Sequence, residues 1–238
     1  MRLDLYEDLY AQEEKHWWHI SKRKVVARML DTFLRKKKPQ ILDIGCGAGK
    51  IMDMLSGFGT VWGLDKSKTA LSFCKKRGFR HVTLGDAADT GFQDDFFDVI
   101  TMLDVLEHTE EHATLPETTR ILKKGGIMIL TVPAYQWLWS TWDEVLRHKK
   151  RYSKGDLETL VKKYGFTIMR SSYMYSFLVL PAYVFRMLKS HKQSYESDFS
   201  TNPPLINFLF TLLSTIERYF VVRGRIAFGT SLILVCKK

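Results

Sequence analysis

Cysteine is scarce in this sequence: Cys46, Cys74 and Cys236 lie far apart, and no CxxC pair occurs. An odd number of widely spaced cysteines excludes a disulfide framework and a zinc knot as the basis of the fold. The N-terminus is mixed and acidic where a secretory signal peptide would be apolar. These features predict a cytoplasmic protein.

Acidic charge is also in short supply, because 36 Lys and Arg residues stand against 26 Asp and Glu residues, a net charge of +10. Such an excess suits nucleic acid, an anionic membrane surface or an acidic substrate, and it also occurs on merely solvated surfaces. Low-complexity tracts and internal repeats are absent, and the chain of 238 residues is long enough for one buried core. We therefore expect one domain over residues 1–238.

Short apolar runs alternate with helical stretches along most of the chain. The predicted strands are residues 41–44, 60–64, 81–84, 99–103, 127–132, 166–173 and 231–236. Strands separated by helices predict an α/β fold with a mostly parallel sheet covered on both faces. Residues 1–38 predict an N-terminal helical arm, and residues 176–226 a helical insert before the last strand, because the interval is too long for a loop. The core is then residues 39–175 and 227–238.

The strongest motif is the first strand and the loop after it, residues 41–50, which read ILDIGCGAGK. Glycines at alternate positions let a backbone turn sharply and approach a ligand closely. A dinucleotide-binding loop would have its third glycine where Lys50 stands, so we expect a ligand other than a pyrophosphate. A cationic sulfonium amino acid suits this loop, since Asp43 can offset an ammonium group while loop amides bind a carboxylate.

Three further strands end in acidic residues: Asp65 ends the second, Asp86 and Ala87 follow the third, and Asp104 follows Leu103 at the end of the fourth. The carboxyl ends of parallel strands share one edge of a sheet, where ligands of open α/β sheets bind. Four acids at successive strand ends therefore indicate a ligand site at that edge.

These motifs, in this order, resemble those of the class I S-adenosylmethionine-dependent methyltransferases; they are residues 43–49, 63–65, 85–87, 98–108 and 122–126. The resemblance implies a Rossmann-like sheet of seven strands, the last antiparallel, with S-adenosylmethionine as the cofactor and S-adenosylhomocysteine as the product. Lys124 departs from the proline of many relatives, which alters only a turn. By this resemblance Gly45 and Gly47 line the methionine moiety, Asp65 binds the ribose, Asp86 and Ala87 lie at the adenine, and Leu103 and Asp104 lie near the methionine half. The remaining predicted cofactor-binding residues are Asp43, Cys46, Gly49 and Lys66.

The second half of the chain resembles the small-molecule branch of that family, which includes ubiquinone-type and glycan- or lipid-modifying methyltransferases. The resemblance rests on residues 104–108, 132–134 and 138–143 and on His148 with Arg151-Tyr152. It implies that the acceptor is a small molecule or is linked to a sugar or a lipid. We expect the methyl group to be transferred to an oxygen, and methylation of nitrogen or carbon stays open. The oligomeric state is also left open.

His108 is the first candidate for the general base, because it follows the fourth strand and histidine titrates near neutral pH. Glu107 could orient it or bind substrate, and His148 is the other catalytic candidate. The alternative is that His108 only holds loop structure. The predicted acceptor-binding residues are Trp139, Asp143, Arg151 and Tyr152, whose aromatic faces and fixed charges suit a sugar ring or an anionic headgroup; alternatively, residues 147–151 form a solvated basic helix face.

No metal site is predicted: His108 and His112 have helical i, i+4 spacing but lack the HExxH pattern and further ligands. A nucleic-acid methyltransferase stays an alternative because of the positive charge, although an Asn/Asp-Pro-Pro-aromatic loop is absent after strand four. A dehydrogenase is disfavoured by the loop spacing. A non-catalytic protein that binds the same cofactor stays an alternative.

Within the insert, a narrow polar stripe of Asn207, Thr211, Ser214 and Arg218 runs along an otherwise apolar helix at residues 205–222. It predicts either a buried core helix or a hydrophobic lid that admits a lipid-linked acceptor and rests on the inner membrane surface. Cationic residues would meet lipid headgroups there, namely Lys189, Lys192, Arg218, Arg223 and Arg225. Trp17 and Trp18 predict either a cap over the pocket or packing of the arm.

Overall fold

A computed structural model describes residues 10, 12–188 and 203–238 of the chain. Its strands are β1 (Gln40–Ile44), β2 (Thr60–Asp65), β3 (Val82–Leu84), β4 (Phe97–Leu103), β5 (Leu122–Pro133), β6 (Thr167–Met174) and β7 (Ser231–Lys237). The helices are α1 (Trp17–Phe33), α2 (Lys50–Leu55), α3 (Lys68–Lys76), α4 (Glu111–Ile121), α5 (Thr141–Leu146), α6 (Lys154–Lys163), α7 (Val179–Leu188) and α8 (Pro204–Val222). Short 3₁₀ turns occupy Leu106–His108, Gln136–Leu138 and Ser176–Leu178.

The seven strands form one sheet in the order β3-β2-β1-β4-β5-β7-β6. Neighbours among β1 to β5 pair in parallel, and β7 pairs antiparallel with both β5 and β6. Helical crossovers between parallel strands cover both faces, so the central strands are buried on both sides. The sequence prediction of a Rossmann-like, mostly parallel seven-stranded sheet is confirmed.

Apolar side chains fill the core on both faces of the sheet. One cluster includes Leu42, Met128 and Leu234, and the other includes Ile41, Val99 and Ile233. Because successive side chains of a strand point to opposite faces, the continuous apolar runs of β1, β4 and β7 supply both clusters. The sheet is therefore a rigid base for the loops at its carboxyl edge.

Two local predictions are wrong. Residues 122–126 belong to β5 rather than to a turn, because the backbone amide of Gly125 donates to the Lys238 carbonyl at 3.0 Å and extends the pairing with the chain end. Residues 147–151 do not form a basic helix face, because α5 ends at Leu146 and Arg147 has a left-handed backbone with φ of 59°.

The N-terminal arm packs on the core through α1. Trp17 is buried, and its ring lies 5.4 Å from the Tyr175 ring and 5.1 Å from the Phe210 ring of α8, centroid to centroid. This aromatic cluster fixes the arm against the insert, so the packing interpretation of Trp17 is the one the structure supports.

The described part of the insert consists of a 3₁₀ turn, α7 and α8; Lys189 and Lys192 lie outside the described residues. The polar stripe of α8 faces the protein. Ser214 and Glu217 are buried, and Glu217 accepts hydrogen bonds from the backbone amides of Tyr175 and Ser176 at 2.6 and 2.7 Å. The apolar face points outward, with Leu205 at 77% and Phe208 at 66% exposure. The core-helix interpretation is therefore wrong.

By length and composition alone, α8 is also apolar enough to cross a membrane, and only 22% of its most apolar window is buried. Its polar contacts with the body of the protein make it a docked surface helix in this structure.

Candidate cofactor and catalytic site

The loop after β1 can be built only around glycine. Gly45 has a φ of 71°, and a Cβ placed on it would lie 2.4 Å from Val105 Cγ2. Gly49, just before α2, has a φ of 88°, and its Cβ would lie 3.0 Å from Cys74 Sγ. Both positions combine a backbone that other residues rarely adopt with a close neighbour, so side chains are kept out of the loop.

Asp43 lies under this loop and is buried. Its Oδ1 accepts a hydrogen bond from Thr101 Oγ1 at 2.6 Å, whereas its Oδ2 has no hydrogen-bond partner among the described residues. Burial raises the pKa of this carboxyl to about 7, against the usual 3.8. A buried carboxylate oxygen without a donor fits a cationic group such as the ammonium of a methionine moiety.

Asp65 ends β2 beside the loop. Its Oδ2 accepts from the Gly47 amide at 2.9 Å, and its Oδ1 accepts from the Ser67 amide at 2.8 Å. Burial raises the pKa of Asp65 above its usual value, and the two amides oppose the shift. Asp65 therefore ties the glycine loop to the end of the neighbouring strand, where a ribose would lie between them.

The other predicted cofactor residues are spread along the same edge. Asp86 Oδ1 accepts from the Ala88 amide at 2.9 Å, and Lys66 Nζ lies 2.8 Å from Asp86 Oδ2. Both contacts lower the pKa of Asp86. Ala87 is buried, and Leu103 is half-buried at the end of β4. The Cys46 side chain points into the core, 3.8 Å from Cys74 between the sulfur atoms, so only its backbone belongs to the loop.

The arm contributes a residue that the sequence did not indicate. Lys22 of α1 is buried, its ammonium group contacts Asp104, and it lies 3.3 Å from the centroid of the Trp18 ring. Burial holds the pKa of Lys22 well below its usual range. Asp104 also accepts from Thr131 Oγ1 at 2.9 Å. The predicted acid after β4 is thus held by partners from α1 and β5.

The three predicted catalytic residues lie together beyond β4. The rings of His108 and His148 are 4.7 Å apart, and one ligand atom each of Glu107, His108 and His148 lies within 4.8 Å of the others. Burial, followed by the neighbouring His148, lowers the pKa of His108 to about 4. Glu107 is fully buried, and neither of its carboxylate oxygens has a hydrogen-bond partner within residues 12–188 and 203–238; burial raises its pKa to about 8.

Asp143 organises the segment after β5. Its Oδ1 lies 2.8 Å from His148 Nδ1, and it binds the Arg151 guanidinium through Nε at 2.8 Å and Nη2 at 2.9 Å. The hydrogen bonds from His148 and Arg151 hold its pKa below the usual range against the effect of burial. Because Asp143 is fully buried and its oxygens are occupied, it fits a positioning role better than direct contact with an acceptor.

Tyr152 is also buried, and its hydroxyl donates to Glu111 Oε2 at 3.1 Å, so it too fits a supporting role. Trp139 is half-buried next to this segment. His112 lies outside the cluster, with its Nδ1 2.8 Å from the Tyr164 hydroxyl. The structure therefore pairs His108 with His148, not with His112.

Comparison with known proteins shows what this part of the chain resembles. Residues 42–130 match the family model described as a methyltransferase domain. The ubiquinone biosynthesis O-methyltransferase of Alkalilimnicola ehrlichii is 31% identical over 102 residues, which cover 39% of this chain and 40% of that protein.

Solved structures resemble most of the chain. A SAM-dependent methyltransferase of Archaeoglobus fulgidus has a TM-score of 0.59 at 16% identity, covering 91% of this chain and 94% of its own. Phosphoethanolamine N-methyltransferase 2 of Haemonchus contortus, in complex with S-adenosyl-L-methionine, has a TM-score of 0.60 at 20% identity. The match covers 90% of this chain and 52% of that chain. At these identities the likeness shows the fold, and the chain spans less than half of the curated ubiquinone enzyme that it matches.

Proposed function

We propose that this chain is a class I S-adenosylmethionine-dependent methyltransferase and that it transfers a methyl group to an oxygen of a small-molecule, sugar-linked or lipid-linked acceptor; the matched domain and the fold support the proposal. The observation that carries the cofactor part of the proposal is the buried oxygen of Asp43, which has no hydrogen-bond partner among the described residues and lies beneath the glycine loop. A dinucleotide has no ammonium group for that oxygen, whereas S-adenosylmethionine has one.

S-adenosylmethionine supplies a methyl group already activated by its sulfonium, so the protein has mainly to bind, orient and handle a proton. Asp43 binds the ammonium group, and the loop amides bind the carboxylate. Asp65 accepts the ribose hydroxyls, and the Asp86-Ala87 segment lies along the adenine edge. The positions of these residues along the carboxyl edge of the sheet support the assignments.

The histidine pair is proposed to take the proton of the acceptor hydroxyl. Asp143 holds His148 through Nδ1, which leaves Nε2 free to face a substrate. His108 stays neutral at neutral pH because its pKa is lowered to about 4, so it can accept a hydrogen bond but is a weak base. We therefore transfer the role of first candidate base from His108 to His148.

Among the proposed acceptors, the features of α8 support one that is linked to a lipid and reached at the inner membrane surface. The polar stripe of α8 faces the protein and its apolar face points outward. A surface helix in water has the opposite orientation, with its apolar face against the protein. Arg223 and Arg225, just after α8, are exposed and could meet anionic headgroups at the rim of that face. The relative from Alkalilimnicola ehrlichii is, by its name, an O-methyltransferase of ubiquinone biosynthesis.

Methyl transfer from labelled S-adenosylmethionine tests this function. The full chain is incubated with a lipid extract or a water-soluble extract of its source cells, and we expect label in the lipid fraction. His148→Ala should lower turnover about a hundredfold or more, as the loss of a general base does, while affinity for S-adenosylhomocysteine stays within about twofold.

The matched control is His112→Asn, which changes a histidine outside the cluster and should keep full turnover. If His148→Ala keeps most of its turnover, His148 is not the base. Label that appears only in the water-soluble fraction would contradict a lipid-linked acceptor.

A further inference from the structure

Among the described residues, the Glu107 carboxylate forms no hydrogen bond or ion pair, although the charges of Lys22 and Arg151 act on it. The direct contacts of these two cations go to other acids, because Lys22 contacts Asp104 and Arg151 forms two hydrogen bonds with Asp143. Glu107 is left fully buried with both carboxylate oxygens unpaired within the described part of the chain. A carboxylate taken out of water in this way is costly unless a cation or proton accompanies it.

The histidines beside it supply the rest of a coordination set. One ligand atom each of Glu107, His108 and His148 lies within 4.8 Å of the other two. The contact between His148 Nδ1 and Asp143 Oδ1, at 2.8 Å, fixes the ring and leaves Nε2 as the ligand atom. A carboxylate behind the far nitrogen of a metal-binding histidine is the usual supporting arrangement of metal sites.

We propose that Glu107, His108 and His148 bind one divalent transition-metal ion, of which zinc is the best match. Imidazole and carboxylate are both zinc ligands, and sites with three protein ligands keep a position open for water or substrate. Zinc binds such atoms at about 2.1 Å, so small side-chain movements would close the three atoms around it. The sequence did not predict this site, because its ligands come from two separate loops.

The role of the ion rests on the proposed function. The open position would hold the acceptor hydroxyl, and the ion would make its proton acidic enough to leave to water. The oxygen then forms its bond to the methyl carbon while the carbon–sulfur bond breaks and its electron pair stays on sulfur. In the metal-bound protein His148 would be a ligand, and the role of base proposed for it above would apply only to the metal-free site.

Metal titration of the full chain tests the site. After treatment with EDTA, the protein is titrated with zinc chloride by calorimetry, and bound zinc is counted by mass spectrometry. We expect one ion per chain, with Glu107→Gln and His148→Ala each weakening the affinity by about tenfold or more. Glu107→Gln keeps the shape of the buried side chain, so it should fold; far-ultraviolet circular dichroism checks each variant.

Two controls make the result specific. His112→Asn should bind zinc like the wild type, since His112 lies outside the cluster. Cobalt(II) added in place of zinc should give d–d bands without a thiolate charge-transfer band; such a band would assign binding to Cys46 and Cys74 instead.

Equal zinc affinity in the wild type and Glu107→Gln, or no stoichiometric zinc in the wild type, would overturn the metal site. S-adenosylhomocysteine binding measured on the same samples separates the two proposals. If the wild type binds the cofactor but does not bind zinc, only the metal site is wrong. If the folded wild type does not bind the cofactor, the proposed function is wrong.

Discussion

At the scale of single residues, Asp43 should make cofactor binding depend on pH. Its pKa is raised by burial to about 7, so in the ligand-free protein the carboxyl carries a proton below that pH. An ammonium group placed beside it favours the charged form and lowers the pKa. We therefore predict that S-adenosylhomocysteine releases a proton from the protein when it binds at about pH 6, and that its affinity rises with pH up to about 7.

Calorimetry in buffers with different ionisation enthalpies measures this proton release. Asp43→Asn should bind the cofactor more weakly and release no proton, whereas Asp53→Asn, an exposed acid of α2, should behave as the wild type. If the affinity of the wild type for S-adenosylhomocysteine does not change between about pH 5 and 8, Asp43 does not bind the ammonium group.

The residues that could be predicted from the sequence belong to local patterns. Asp43 and Asp65 lie at the ends of β1 and β2 and the glycines lie in the loop after β1, so a strand–loop–helix pattern predicts them as one site. Lys22 could not be predicted, because its contact with Asp104 depends on how the arm packs. The proximity of Glu107 to His148 depends on two loops that meet only in the folded chain.

At the scale of elements, the apolar face of α8 predicts membrane association. The full chain should sediment with anionic liposomes at low salt and be partly released at high salt, because apolar contact and cationic residues both contribute. The double variant Leu205→Ser/Phe208→Ser should bind at least about tenfold more weakly, since each change removes exposed apolar area. Leu84→Ser is the control, an exposed leucine of β3.

Protein that stays in the supernatant at both salt concentrations would contradict a membrane role for α8. The sequence predicted the bounds of this helix and its polar stripe but not its orientation. Periodicity shows that a helix has two faces, and the hydrogen bonds of Asn207 to Trp17 and of Glu217 to Tyr175 decide which face docks.

At the scale of the whole molecule, the sheet could be predicted almost completely. Apolar runs alternate with helical stretches, and right-handed crossovers leave few arrangements of parallel strands. The site at the carboxyl edge follows from the same rule. The arm and the insert could not be placed, because they join through aromatic packing around Trp17, which has no local pattern.

The central claim is that this sheet edge binds S-adenosylmethionine rather than a dinucleotide. Calorimetric titration of the full chain with S-adenosylmethionine and, separately, with NAD tests it most directly. The account predicts one site per chain for S-adenosylmethionine with a dissociation constant in the micromolar range, about −8 kcal/mol, and no binding of NAD. Binding of NAD, or no heat of binding with S-adenosylmethionine by folded protein, would contradict it.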